Sequence, residues 1–126
     1  MAKVLVVDKD ESIRKLVKRI IDSNFTGVSV ALASSGQEGW REFEDAETKP
    51  VLVFTELSFE EPLAGLTFAE KIKEASPSTL VVLFSLINPL ARDMMANFDY
   101  YLRKSFTVSE FVRDFRHLLD MSERRE

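Results

Sequence analysis

The chain has 126 residues, 45% of them hydrophobic and 30% charged, with a net charge of −4 and no cysteine. That balance gives one soluble globular domain with a single core, and the missing thiols exclude a disulfide framework or a thiolate metal site. No apolar run approaches the ~18 residues of a membrane span, and Asp8 and Asp10 interrupt the N-terminal apolar stretch too early for a signal peptide. Basic residues are dispersed; the one dense group, Arg14, Lys15, Lys18 and Arg19, lies opposite an apolar helix stripe and reads as a solvated face. Nucleic-acid binding needs clustered cations. A cytoplasmic protein without membrane or nucleic-acid partners is expected.

Strand-like and helix-like runs alternate along the chain. Lys3–Val7 is a short apolar strand ending at Asp8. Ile13, Leu16, Val17, Ile20 and Ile21 then recur at helical spacing, with Asp10 as the expected N-cap. Val28, Val30 and Leu32 alternate as a half-buried strand. Ser35 and Glu38 form a capping box that opens a helix carrying Trp40 and Phe43. The run 51–55 is a buried strand closed by Glu56, and a loop with Glu60, Glu61, Pro62 and Gly65 follows. Leu66, Ala69 and Ile72 mark a third helix that stops near Pro77. Leu80–Phe84 is a fourth strand ending at Ser85. Asn88 and Pro89 are the expected N-cap and first residue of a short fourth helix. Tyr100–Arg103 is the fifth strand. Thr107 and Glu110 repeat the capping box before the apolar positions Phe111, Val112, Phe115, Leu118 and Leu119.

Five βα units with near-continuous apolar strands predict an α/β protein, a five-stranded parallel sheet with helices on both faces. Functional groups gather at the carboxyl ends of the strands in such sheets. Asp8, Lys9, Glu56, Ser85 and Lys104 all fall at those ends. Their order and spacing, in the segments VLVVDKDES, VLVFTELS, VVLFS and DYYLRKSF, resemble the CheY-like receiver domain of bacterial two-component response regulators. The resemblance implies the flavodoxin-like (βα)5 receiver fold over residues 1–120, a polar tail over 121–126 and no output domain. It also implies that acids after the first strand hold Mg²⁺, that an Asp after the third accepts phosphate, and that a Ser or Thr and a Lys bind the phosphoryl oxygens.

Two positions depart from that pattern. Glu56 stands in the acceptor place and Lys9 in the place of the second acid. Magnesium takes near-octahedral oxygen ligands that usually include carboxylates. Here Asp8 and Glu56 against Lys9 and Lys104 sum to zero charge without an ion. The expectation is that the Lys9 ammonium replaces the metal, pairing with Glu56 or Asp8, and that no metal or other cofactor is held. Glu56 has three readings: a partial phosphate mimic, a permanent ion pair with Lys104 or Lys9, or a relic. The ion pair is preferred, with neighbouring cations holding the carboxylate ionised.

Ser85 is expected either to face Glu56 or to bond nearby backbone. Tyr101 matches the aromatic whose rotamer reports activation in receivers. Ser105 replaces the usual proline after Lys104, so a trans bond there is expected to re-aim Lys104. His117 reads as a helix-flank residue. Among Met94, Met95, Phe98 and Tyr100, Met95 and Tyr100 are the expected exposed pair, on a face formed by the fourth helix, fifth strand and fifth helix through which receivers dimerise or meet partners.

The functional expectation is a stand-alone signalling module, not an enzyme. It would act by contact with a kinase, an effector or another receiver and would not be phosphorylated at Glu56. One alternative is a conventional response regulator using another acceptor. A second is a phosphatase of the haloacid-dehalogenase type, suggested by Asp8-Lys9-Asp10-Glu11-Ser12 with Ser85 and Lys104 as later motifs. It lacks a metal-binding acidic pair near the strand ends, since Glu110, Asp114 and Asp120 lie on the last helix.

Overall fold

The structure is a computed structural model that describes residues 2–88, 90 and 92–124. Its elements run β1 (Ala2–Val7), α1 (Glu11–Asn24), β2 (Val28–Ala33), α2 (Gly36–Asp45), β3 (Leu52–Thr55), α3 (Ala64–Ala75) and β4 (Leu80–Ser85). A 3₁₀ turn (Arg92–Met95), β5 (Tyr100–Arg103) and α4 (Val108–Arg124) follow. All four strand pairings are parallel, in the order β2-β1-β3-β4-β5. The chain reverses direction across the sheet between β1 and β3, where the carboxyl ends leave a crevice.

Alternation along the central strands divides the core in two. Val4, Val6, Leu52 and Phe54 face Val17, Ile20 and Ile21 of α1 and Phe111, Phe115 and Leu118 of α4. Leu5, Val7, Val53 and Leu83 face Phe43 of α2 and Phe68, Ala69 and Ile72 of α3. With both faces covered, β3 and β4 read as unbroken apolar runs, recognisable by their strand length and not by alternation.

The expected caps form. Asp10 accepts from Ser12 N at 2.9 Å and Ser12 Oγ at 2.6 Å. Ser35 Oγ accepts from Glu38 N at 3.1 Å, while Glu38 turns back to Ser34. Thr107 and Glu110 make the full reciprocal box, at 2.7 and 3.1 Å.

Two expectations are corrected here. The fourth helix is only the 3₁₀ turn: Ala96 N and Phe98 N each bond a carbonyl three residues back, the tight pattern of a segment too short to wind a full helix. Asn88 Oδ1 accepts from Leu90 N at 3.1 Å, and Pro89 lies outside the described residues. The tail is also shorter than expected. Helix α4 runs to Arg124, with Met121 packed against the core and Ser122 3% exposed, its hydroxyl satisfied by Leu119 O. Arg125 and Glu126 lie outside the described residues.

Candidate functional site

The register that pairs Val7 with Thr55 sets the next residues of β1 and β3, Asp8 and Glu56, side by side at the crevice. Both are buried, at 0% and 7% exposure. From the end of β5, Lys104 reaches between them: its Nζ lies 2.7 Å from Asp8 Oδ2 and 2.7 Å from Glu56 Oε1. One ammonium thus ties the ends of three strands. Asp8 Oδ1 accepts from Asp10 N at 2.8 Å and Glu56 Oε2 from Lys9 N at 3.3 Å. Asp8 Oδ2 accepts no hydrogen bond of good geometry among the described residues, so its partner is the Lys104 charge, met off-axis.

The lysine assignment from sequence is therefore corrected. Lys9 is exposed, its ammonium forms no ion pair among the described residues, and only its backbone N–H serves the site. It lies in the bend between the end of β1 at Val7 and the first residue of α1, Glu11, outside the strand. Without it, the closed cluster is two carboxylates and one ammonium, and its formal charge is −1 in place of zero.

The protonation equilibria follow from that imbalance. Burial is the largest influence on Glu56 and raises its pKa. The hydrogen bond from Lys104 pulls it back, and the Asp8 charge pushes it up again, leaving it above the ordinary carboxylate value. The Lys104 cation does favour the ionised form, as expected, but burial outweighs it in the direction of the shift. Burial alone would lower Lys104, but its bonds to Asp8 and Glu56 outweigh this and raise it.

Lys104 keeps this position across a trans Lys104–Ser105 bond, since no described peptide bond is cis. The predicted re-aiming does not occur, because Lys104 N donates to Ser85 O at 3.1 Å and fixes where the side chain starts. Ser85 contributes through that carbonyl, which also accepts from Tyr101 Oη at 3.1 Å. The Ser85 hydroxyl has neither expected contact among the described residues. Tyr101 is half-buried against the α2–α3 side of the core.

Three supporting residues escaped sequence reasoning. Arg14 Nη1 donates to Asp8 O at 2.7 Å, bracing the turn that presents Asp8; a basic residue one turn past an N-cap was the available signal. Gly65 N donates to Leu57 O at 2.7 Å, and a Cβ on Gly65 would collide with the Glu56 carbonyl oxygen. Only glycine lets α3 approach the acceptor loop so closely. In that loop Leu63 holds φ 61°, a left-handed conformation that disfavours side chains.

Of the expected interface pair, Met95 and Tyr100 are both half-buried, packed on opposite sides of the sheet. The exposed apolar residues nearby are Leu86 (61%), Ile87 (69%) and Met94 (39%). The 3₁₀ turn places Met95 inward and Met94 outward, the reverse of the helical expectation. His117 is exposed, with its ring 6.2 Å from that of Tyr100. Among the described residues, no helix is long and apolar enough to cross a membrane.

Comparison with known proteins agrees with this geometry. The family described as the response regulator receiver domain matches residues 4–116. The chain belongs to that family, the receiver domains of two-component systems. The response regulator TrrA of Thermotoga maritima, solved in complex with Mg²⁺–BeF, is 24% identical, with a TM-score of 0.79 over 94% of this chain and 99% of that one. A CheY-like receiver domain protein from Methanospirillum hungatei is 19% identical, with a TM-score of 0.82 over 100% and 99%. NtrX from Brucella abortus, solved in complex with ATP, is 24% identical with a TM-score of 0.83, over 98% of this chain and 28% of that longer protein. No curated protein sequence matches the chain.

Proposed function

We propose that this chain is a pseudo-receiver: a cytoplasmic interaction module, not an enzyme, that engages a kinase, an effector or another receiver without phosphotransfer at Glu56. The observation that carries this is the Lys104 ammonium, 2.7 Å from both carboxylates a divalent ion would need. Magnesium demands several oxygen ligands in octahedral array. The donors at hand do not fit it. Lys9 supplies an exposed ammonium where an acid would stand, and no group of three or more His, Cys, Asp or Glu is brought together for a metal among the described residues. The TrrA structure holds Mg²⁺–BeF; here an internal cation sits between the acids and offsets one of their two charges.

The consequence is a fixed signalling state. Lys104 joins β1, β3 and β5, while the Ser85 carbonyl joins Tyr101 to the Lys104 backbone. No phosphoryl group is needed to hold that arrangement. Incubating the native chain with a small phosphodonor and Mg²⁺, then measuring intact mass, is expected to give no adduct. A single phosphoryl addition would restore the conventional regulator using a different acceptor, or Glu56 itself, and end this reading.

A further inference from the structure

A groove of about 380 Å³ opens between the first turns of α2 and α3, outside the Asp8–Glu56–Lys104 cluster. Trp40 and Phe68 supply its apolar wall, and Glu60, Glu61 and Lys71 its charges. Its volume is in the range of small binding clefts. Two carboxylates against one ammonium leave this wall with a formal charge of −1.

The charges are arranged unusually. Lys71 Nζ sits 4.4 Å from the centroid of the Trp40 ring and forms no ion pair among the described residues, although Glu60 and Glu61 line the same groove. Glu60 Oε1 accepts from Gly36 N at 3.3 Å, at the start of α2. Its other oxygen and the whole Glu61 carboxylate have no partner among the described residues. The groove therefore combines an aromatic seat already carrying a cation with free acceptor oxygens.

We propose that this groove receives a basic side chain from a partner protein, an arginine stacked on Trp40 in the position Lys71 now holds, with its guanidinium paired to Glu60 and Glu61. Lys71 acts as an internal placeholder. Arginine suits the seat better than lysine because its planar fork stacks on an indole and binds carboxylate through two parallel hydrogen bonds. The inference goes beyond the pseudo-receiver reading and stands without it, since none of its groups belongs to the ion-pair cluster.

Trp40 is the only tryptophan, so its emission reports this groove alone. Three short synthetic peptides of equal length, containing arginine, lysine or glutamate, are titrated into the full chain. The arginine peptide is expected to change Trp40 emission saturably, the lysine peptide to bind more weakly, and the glutamate peptide to do nothing. The double variant Glu60→Gln, Glu61→Gln should weaken the arginine peptide by about tenfold, the loss of a paired carboxylate fork. Lys71→Ala should tighten it, because the competing cation is gone, with a thermal melt confirming the fold. A purely structural Lys71 would give the opposite sign. An arginine peptide that leaves the emission unchanged, a glutamate peptide that binds as well, or a Lys71→Ala chain that is folded yet binds more weakly would each overturn the proposal.

Discussion

Each end of the sheet holds a half-buried lysine, Lys73 from α3 and Lys104 from the end of β5, and they resolve its charge differently. At the amino end, Lys73 pairs with Asp99 at 2.6 Å and donates to Thr79 O at 2.7 Å, while Asp99 Oδ2 also accepts from Val81 N at 2.8 Å. Here the cation meets an anion, and backbone groups on both partners add hydrogen bonds. At the carboxyl end, Lys104 meets two carboxylates; among the described residues no backbone carbonyl is bonded to its Nζ, and Asp8 Oδ2 has no well-aligned donor. Buried ion pairs stabilise only when geometry and further hydrogen bonds repay desolvation. By that measure the amino end is a closed structural clasp and the carboxyl end keeps an unbalanced negative charge, the signature of a site shaped by something other than stability.

The largest expected effect is on Lys104. Lys104→Met strands two buried carboxylates and should cost about 4 kcal/mol, at the scale for breaking buried pairs. Lys73→Met leaves Asp99 still bonded to backbone and should cost about 2 kcal/mol. Urea unfolding of the two variants at neutral pH ranks them, and a larger loss at Lys73 would break the contrast.

Glu56 sharpens it from the other side. Its pKa in the fold lies above the unfolded value, so the native state holds that proton more tightly. Stability linked to Glu56 is full below the unfolded pKa of about 4.5 and falls as pH rises through the folded value. Glu56→Gln, neutral at every pH, should then be as stable as the native chain or more so at pH 7, and should flatten the pH dependence just above the unfolded pKa. Urea midpoints from pH 4 to 8 test this. A clear loss at pH 7 would mean the Glu56–Lys104 pair outweighs its burial cost.

Much of this was legible in the sequence for physical reasons. Helical spacing located the α-helices because one-sided burial writes itself into residue spacing, and unbroken apolar runs of strand length located β3 and β4, which are buried on both faces. Asp8, Glu56 and Lys104 were identifiable as neighbours because parallel strands bring their carboxyl ends together. Which lysine enters the pocket was not legible. Lys9 is close to Asp8 in sequence but sits exposed in the bend past the end of β1, while Lys104 arrives through the β4–β5 register and the Ser85 carbonyl, both long-range facts. The same holds for Gly65, whose necessity is set by the Glu56 carbonyl across a loop, and for Met94 and Met95, which exchanged exposure when a helix became a 3₁₀ turn.

The smallest expected effect concerns backbone strain, which also differs between the ends. Each end has one described residue in the left-handed region: Gly27 (φ 71°), whose carbonyl accepts from Ala2 N, and Leu63 (φ 61°), in the loop after Glu56. Glycine adopts that conformation freely, whereas a side chain there costs roughly 1–2 kcal/mol. A Cβ on Gly27 would meet nothing within 4 Å, so Gly27→Ala isolates the conformational cost and should destabilise by about 1 kcal/mol. Leu63→Gly relieves the same strain but gives the unfolded chain more freedom, by roughly 0.5–1 kcal/mol. It also gives up little packing, because Leu63 is 42% exposed. The net should be a gain of about 0.5 kcal/mol, opposite in sign to the Gly27 change and readable as a shift in urea midpoint. If Leu63→Gly instead weakens the fold, the leucine contacts in that loop exceed the strain, and the carboxyl end is held by packing as firmly as the amino end.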